Sequence, residues 1–171
     1  MMSVAAPASA SPAYYYAGGV GTTQFGVGID DNMNGTWSNF LRSGFAAWNN
    51  TYTTTHVAIG EVLVGPADKN VILGTLPSGT LGLYAPAGTR ANRAFLITLD
   101  ANQIINAPGR IASIGSWATF ATIHELGHSL SIIDNPNTSS TSVMKYHATS
   151  WSSPYQSPQT WDKNAVATIY G

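Results

Sequence analysis

The chain has 171 residues, with seven Lys or Arg against eight Asp or Glu, a net charge of −1 and only 9% of residues charged. That length suits one domain and is short for two, and so sparse and balanced a charge gives a nucleic acid or an anionic membrane nothing to bind. Cysteine is absent, which excludes disulfide scaffolds, thiolate metal sites and cysteine nucleophiles, and no apolar run approaches the roughly 20 residues a spanning helix needs.

Met1 to Ala13 is rich in Ala, Ser and Pro, and the first positive charge is Arg42. Without a charged start and an apolar core it reads as a flexible tail rather than an intact secretory signal, leaving residues 14–171 as a single domain. Tyr14 to Tyr16 and Gln24 to Asp30 lean towards β structure, so the first strand ends near Asp30. From Trp37 to Trp48 the apolar residues Trp37, Phe40, Leu41, Phe45 and Trp48 recur at threes and fours, which predicts an amphipathic helix with Thr36 or Ser38 as cap. Val57 to Val64, Val71 to Leu76, Thr80 to Ala85 and Ala94 to Leu99 are short β-rich runs bounded by Gly and Pro. The reading is an α+β domain with a mixed, twisted sheet of about five strands and three helices. Strand, helix and strand at its start imply a parallel crossover. A second helix runs from Trp117 to about Leu130, with Ser116 as cap, and Asn135-Pro136 forbids its continuation. A third spans Gln159 to Tyr170.

The chemistry gathers in the second helix. His124 and His128 are four apart and project from one helix face, so two imidazoles can reach one ion. Glu125 stands beside them, where a carboxylate can deprotonate a water without being a ligand. Asp134 supplies a third ligand if the chain turns back after Leu130, and an open fourth position marks a catalytic zinc rather than a structural one. The plainer account is a buried helix with two core histidines. It leaves Glu125 as the one charged side chain of an apolar helix, which is expensive without a role. For Asp134 the plain account is a turn residue bonding its own backbone, with Asp162 and His147 as rival ligands. The only glutamates are Glu61 and Glu125, so no downstream Glu can be the third ligand.

These residues resemble the metzincin zinc metalloendopeptidases, whose pattern is HExxHxxGxxH or HExxHxxGxxD followed by a turn carrying Met. His124, Glu125, His128 and Asp134 fall on its ligand, base, ligand and third-ligand positions, and Met144 follows as the turn methionine packed beneath the metal. The Asp is similar to the snapalysin type, and the layout to matrixin catalytic domains. The likeness implies Zn(2+), an active-site helix under a cleft, and hydrolysis of internal peptide bonds by a zinc-activated water with Glu125 as general base. It also implies an extended protein or peptide substrate paired along the edge strand Leu81, Gly82, Leu83, Tyr84 and Ala85. Tyr146, two residues after Met144, matches the astacin turn tyrosine that stabilises the oxyanion. Trp151 and Tyr155 fall where a wall of the substrate pocket belongs. Ser131 occupies the family's glycine position, where φ is positive, and no His/Asp cluster matches the matrixin structural ions. The expectation is a monomeric, secreted enzyme that binds neither nucleic acid nor membrane. The alternative is a non-catalytic extracellular binding domain that keeps zinc for structure.

Overall fold

The computed structural model describes residues 14–51, 55–63, 67–107, 113–134, 139–145 and 153–171. The N-terminal tail, Tyr146, His147 and Trp151 lie outside the described residues. In chain order the elements are β1 (Gln24–Ile29), α1 (Gly35–Asn49), β2 (Ala58–Val62), β3 (Lys69–Leu73), β4 (Gly82–Ala87), a 3-10 turn (Arg90–Asn92), β5 (Ala94–Leu99), α2 (Ala101–Ile105), α3 (Ile114–Ser129) and α4 (Thr160–Tyr170).

The strands form one five-stranded mixed sheet in the order β2-β1-β3-β5-β4. β1 pairs in parallel with both β2 and β3, and β3 with β5, while β4 alone runs antiparallel, against β5. The β1–α1–β2 unit is thus the parallel crossover that the sequence implies. β5 shows the period of two directly: Phe95, Ile97 and Leu99 are buried and Leu96 between them is exposed. On the inner face of the sheet α1 packs against β2, α3 packs against β4 and β5, and the two helices pack on each other. Trp48 joins them by donating its indole N–H to the Ile123 carbonyl at 2.9 Å.

The helix starts differ from the expected ones. Asn34, not Thr36 or Ser38, caps α1, accepting from the backbone N–H groups of Thr36 and Trp37. Ser113, three residues ahead of Ser116, caps α3. α2 is an additional helix of five residues, capped by Asp100, which accepts from Asn102 and Gln103. α4 begins with the reciprocal pair Gln159 and Asp162, each side chain meeting the other's backbone. Tyr14 to Tyr16 contributes no strand to the sheet. It crosses the end of α3 instead, where Tyr15 forms an antiparallel bridge with Ile132.

Candidate metal centre

α3 fixes the first two ligand candidates. His124 and His128 sit one turn apart with ring centroids 5.0 Å from each other. Each ring is oriented from behind by a backbone carbonyl: Nδ1 of His124 lies 2.8 Å from the Val143 oxygen and Nδ1 of His128 2.9 Å from the Ile132 oxygen. A carbonyl only accepts, so both Nδ1 atoms carry their protons and both Nε2 lone pairs face the cleft. Backing of this kind is what a metal-binding imidazole requires.

The third candidate depends on how α3 ends. The helix closes at Leu130, and Ser131 takes φ 63°, the only positive φ outside glycine among the described residues. The N–H of Ser131 bonds to the His128 carbonyl and that of Ile132 to the Gly127 carbonyl, both at 3.0 Å. This is the paired ending that usually places glycine at the left-handed position. The expected turn therefore forms with a serine in it. Asp134 returns to the histidines, with Oδ1 at 3.1 Å from Nε2 of His124 and 3.5 Å from Nε2 of His128.

Three ligand atoms thus converge, all within 4.8 Å of one another. A tetrahedral ion bound at 2.0–2.2 Å needs ligand atoms about 3.4 Å apart, which the two Asp134 contacts match. Oδ1 of Asp134 is buried and has no hydrogen-bond partner. With two imidazole lone pairs opposite it, only a cation satisfies the three acceptors together. Without a metal a proton takes that place. Burial disfavours charge on His124, but the Asp134 carboxylate and the nearby Glu125 outweigh it and lift the ring to about 9. Burial likewise opposes charge on Asp134, and the two histidines overcome it, holding the carboxyl far below its usual range.

Glu125 is buried beside this cluster. Burial pushes its carboxyl up, while His124 and His128 and the Tyr84 backbone N–H pull it back. The hydrogen-bonding phase of β4 explains the last contact. Asp100 N–H bonds to the Leu81 carbonyl, whereas the Leu99 carbonyl and Phe95 N–H bond towards β3. In the 82↔99 and 81↔100 register, Leu81, Leu83 and Ala85 therefore bond to β5, and Gly82, Tyr84 and Pro86 point their backbone groups to the open edge. Gly82 comes so close that a Cβ on it would sit 2.8 Å from Oε1 of Glu125.

A cleft of about 510 Å³ opens over these groups, lined by 79–84 on one side, by the α3 residues Phe120, Ala121, His124, Glu125 and His128 beneath, and by Ile133, Asp134, Lys145 and Tyr16. Leu81, Gly82, Leu83 and Tyr84 line it as expected. Ala85 does not, lying beyond the stretch 79–84 that borders the cleft, and Tyr155 packs against the core instead of walling the cleft. Tyr16 and Lys145 are linings that local pattern did not disclose, since both arrive through long-range contacts.

Met144 is fully buried under the site, with its sulfur against Gly127. Asp162, a rival ligand on sequence grounds, stays out of the cluster: it accepts from Ser142 Oγ at 2.5 Å, Val143 N–H at 3.0 Å and Gln159 N–H at 2.7 Å. It pins the Met144 turn to α4 and so fixes the Val143 carbonyl that orients His124. The capping pattern Gln159-x-x-Asp162 was its one local signal. The proposed roles of Tyr146 and His147 fall outside the described residues. The chain matches no protein-family model and no curated protein. Among the described residues no helix is long and apolar enough to cross a membrane.

Proposed function

We propose that this chain is a zinc-dependent endopeptidase of the metzincin type, hydrolysing internal bonds of extended protein or peptide substrates. The observation that carries the proposal is the convergence of the Asp134 carboxylate oxygen on Nε2 of His124 and His128, at 3.1 and 3.5 Å, beside the buried Glu125 carboxylate in an open cleft. Two imidazoles and a carboxylate with no thiolate form a donor set suited to zinc, and His124, His128 and Asp134 would hold it. Bound there, zinc supplies Lewis acidity for the scissile carbonyl and for a water.

The rest of the chemistry belongs to the chain. The open edge at Gly82 and Tyr84 aligns an extended substrate through its backbone, irrespective of side chains. Glu125 lies between that edge and the ligand cluster, where its carboxylate takes a proton from the attacking water and delivers it to the leaving amine. Buried, with Gly82 packed close against its side chain, the carboxylate is held in place before substrate arrives. Tyr146 is assigned as donor to the oxyanion by its place after Met144. The Ser, Thr and Asn-rich composition fits a secreted enzyme, and we take it to act as a monomer.

The deciding experiment is Glu125→Gln measured for both zinc content and peptide cleavage. Retained zinc with cleavage reduced by about 10²–10⁴, the scale of a general base, supports the proposal. Cleavage at the wild-type rate, or a wild-type protein that takes up no zinc, overturns it.

A further inference from the structure

Ser131 stands where the ending of α3 calls for glycine, and its side chain is not free. Oγ accepts from the Arg90 guanidinium and lies 3.1 Å from the Tyr170 hydroxyl, which donates to the Val20 carbonyl at 2.7 Å. Tyr170 has one proton and gives it to Val20, so Ser131 gives its own to Tyr170. The chain of donors therefore runs from Arg90 to Ser131 to Tyr170 to Val20. The Val20 N–H returns to the Ser129 carbonyl at 2.8 Å, on the last residue of α3. The guanidinium is also flanked by the Tyr15 and Tyr170 rings, at 5.4 and 5.0 Å from their centroids, both within cation–π range.

We propose that Arg90 and Tyr170 are positioning residues for the Asp134 ligand: by clamping the Ser131 hydroxyl they hold a non-glycine residue in the left-handed conformation that sends the chain back to His124 and His128. The inference rests on reading those three residues as a metal centre. It follows from two features that are otherwise unconnected. One is a serine at φ 63°, a region L side chains rarely occupy. The other is a convergence on that serine's Oγ of groups from the 3-10 turn after β4 and from the last helix. A glycine would need neither partner, because it reaches positive φ without a Cβ penalty. Serine needs a tether to stay there, and the clamp supplies one from outside the turn. Part of the metal affinity is thereby stored in the contact of α4 with the end of α3, where Tyr170 meets Ser131 from 39 residues further along the chain.

The test is a rescue experiment on zinc affinity, measured by competition with a chromophoric chelator, alongside the thermal midpoint of the metal-free protein. Tyr170→Phe and Arg90→Ala are made in the Ser131 protein and again with Ser131→Gly. In the Ser131 protein each should weaken zinc binding by about tenfold, the scale of coupling between touching groups. In the Ser131→Gly background each should weaken it by less than about threefold, since the turn then holds itself. A purely structural role would lower the thermal midpoint and move zinc affinity equally in both backgrounds, which overturns the proposal, as does unchanged affinity in both. Tyr170→Phe removes only a hydroxyl, so it keeps the test open if Arg90→Ala does not fold. A wild-type protein that binds no zinc defeats the metal-centre reading itself, whereas zinc binding with equal losses defeats only the clamp.

Discussion

Met144 lies so close beneath Gly127 that a Cβ on the glycine would sit 2.2 Å from Sδ. Gly127 occupies α3 between the ligand candidates, one residue before His128. Here a helix accepts its poorest non-proline residue so that a thioether can reach its backbone. Gly127→Ala should therefore destabilise the fold by about 1–3 kcal/mol through overpacking despite the better helix propensity. Met144→Leu should cost less than about 1.5 kcal/mol. Urea unfolding of both variants checks the order; a stabilised Gly127→Ala would show that the helix and the Met144 turn separate freely.

Gly82→Ala separates the proposed base from the proposed ligands. The new methyl would meet Cγ and Oε1 of Glu125 at 2.8 Å, and the neighbouring strand β5 limits how far β4 can retreat. Zinc affinity is expected to stay within about threefold of wild type, and kcat to fall by about 10²-fold, the scale of a catalytic group displaced by an ångström. Parallel zinc titration and peptide kinetics decide it, and equal losses in both would tie Gly82 to the metal instead.

Asp162→Asn is nearly isosteric yet should be disruptive. Oδ2 accepts from both Val143 and Gln159, so an amide there must turn its nitrogen to Ser142 Oγ, which already accepts from the Met144 N–H, and the Ser142 proton loses its acceptor. Burial pushes the Asp162 carboxyl up, but its three donors suit an oxygen at each position. The expected loss is about 1–3 kcal/mol of stability from stranded donors, accompanied by weaker zinc binding as the Val143 carbonyl leaves His124. Asp162→Asn with wild-type zinc affinity would show that the His124 ring needs no such backing.

Acid stability should carry a signature of Asp100. Burial alone would raise its carboxyl, but backbone N–H groups of Leu76, Gln103 and Asn102 outweigh it and hold it below the usual range. A folded value below the unfolded one means stability that is complete above the unfolded value near 3.9 and lost as pH falls through the folded one. Asp100→Asn retains an acceptor for the α2 cap and removes the titration. Its unfolding midpoint should be lower at neutral pH and should fall less steeply than wild type below about pH 4. Denaturant midpoints measured across that range provide the comparison.

Short-range order was legible because it is local. The β5 alternation of Phe95, Ile97 and Leu99 and the α1 apolar spacing each lie within a few residues. Helix starts were misplaced where several cap residues compete: Asn34 precedes Thr36 and Ser38, and Ser113 stands before Ile114, an exposed apolar residue outside the buried pattern. α2 was hidden because Asp100 reads equally well as the end of β5. The positive φ at Ser131 could be expected only through the resemblance, because Ser131 takes the glycine position of the metzincin pattern. Arg90, Tyr170, the Val143 carbonyl and the role of Asp162 could not, because each acts across 19 to 41 positions of sequence.

Pro86 stands on the open edge of β4 in the same phase as Gly82 and Tyr84. Proline has no N–H, so the row of donors along this edge ends before it. An edge built this way offers a guest strand only a short ladder, so a second copy of the chain gains little by zipping onto it. One imino ring thus sets how far along this border any added strand can be paired.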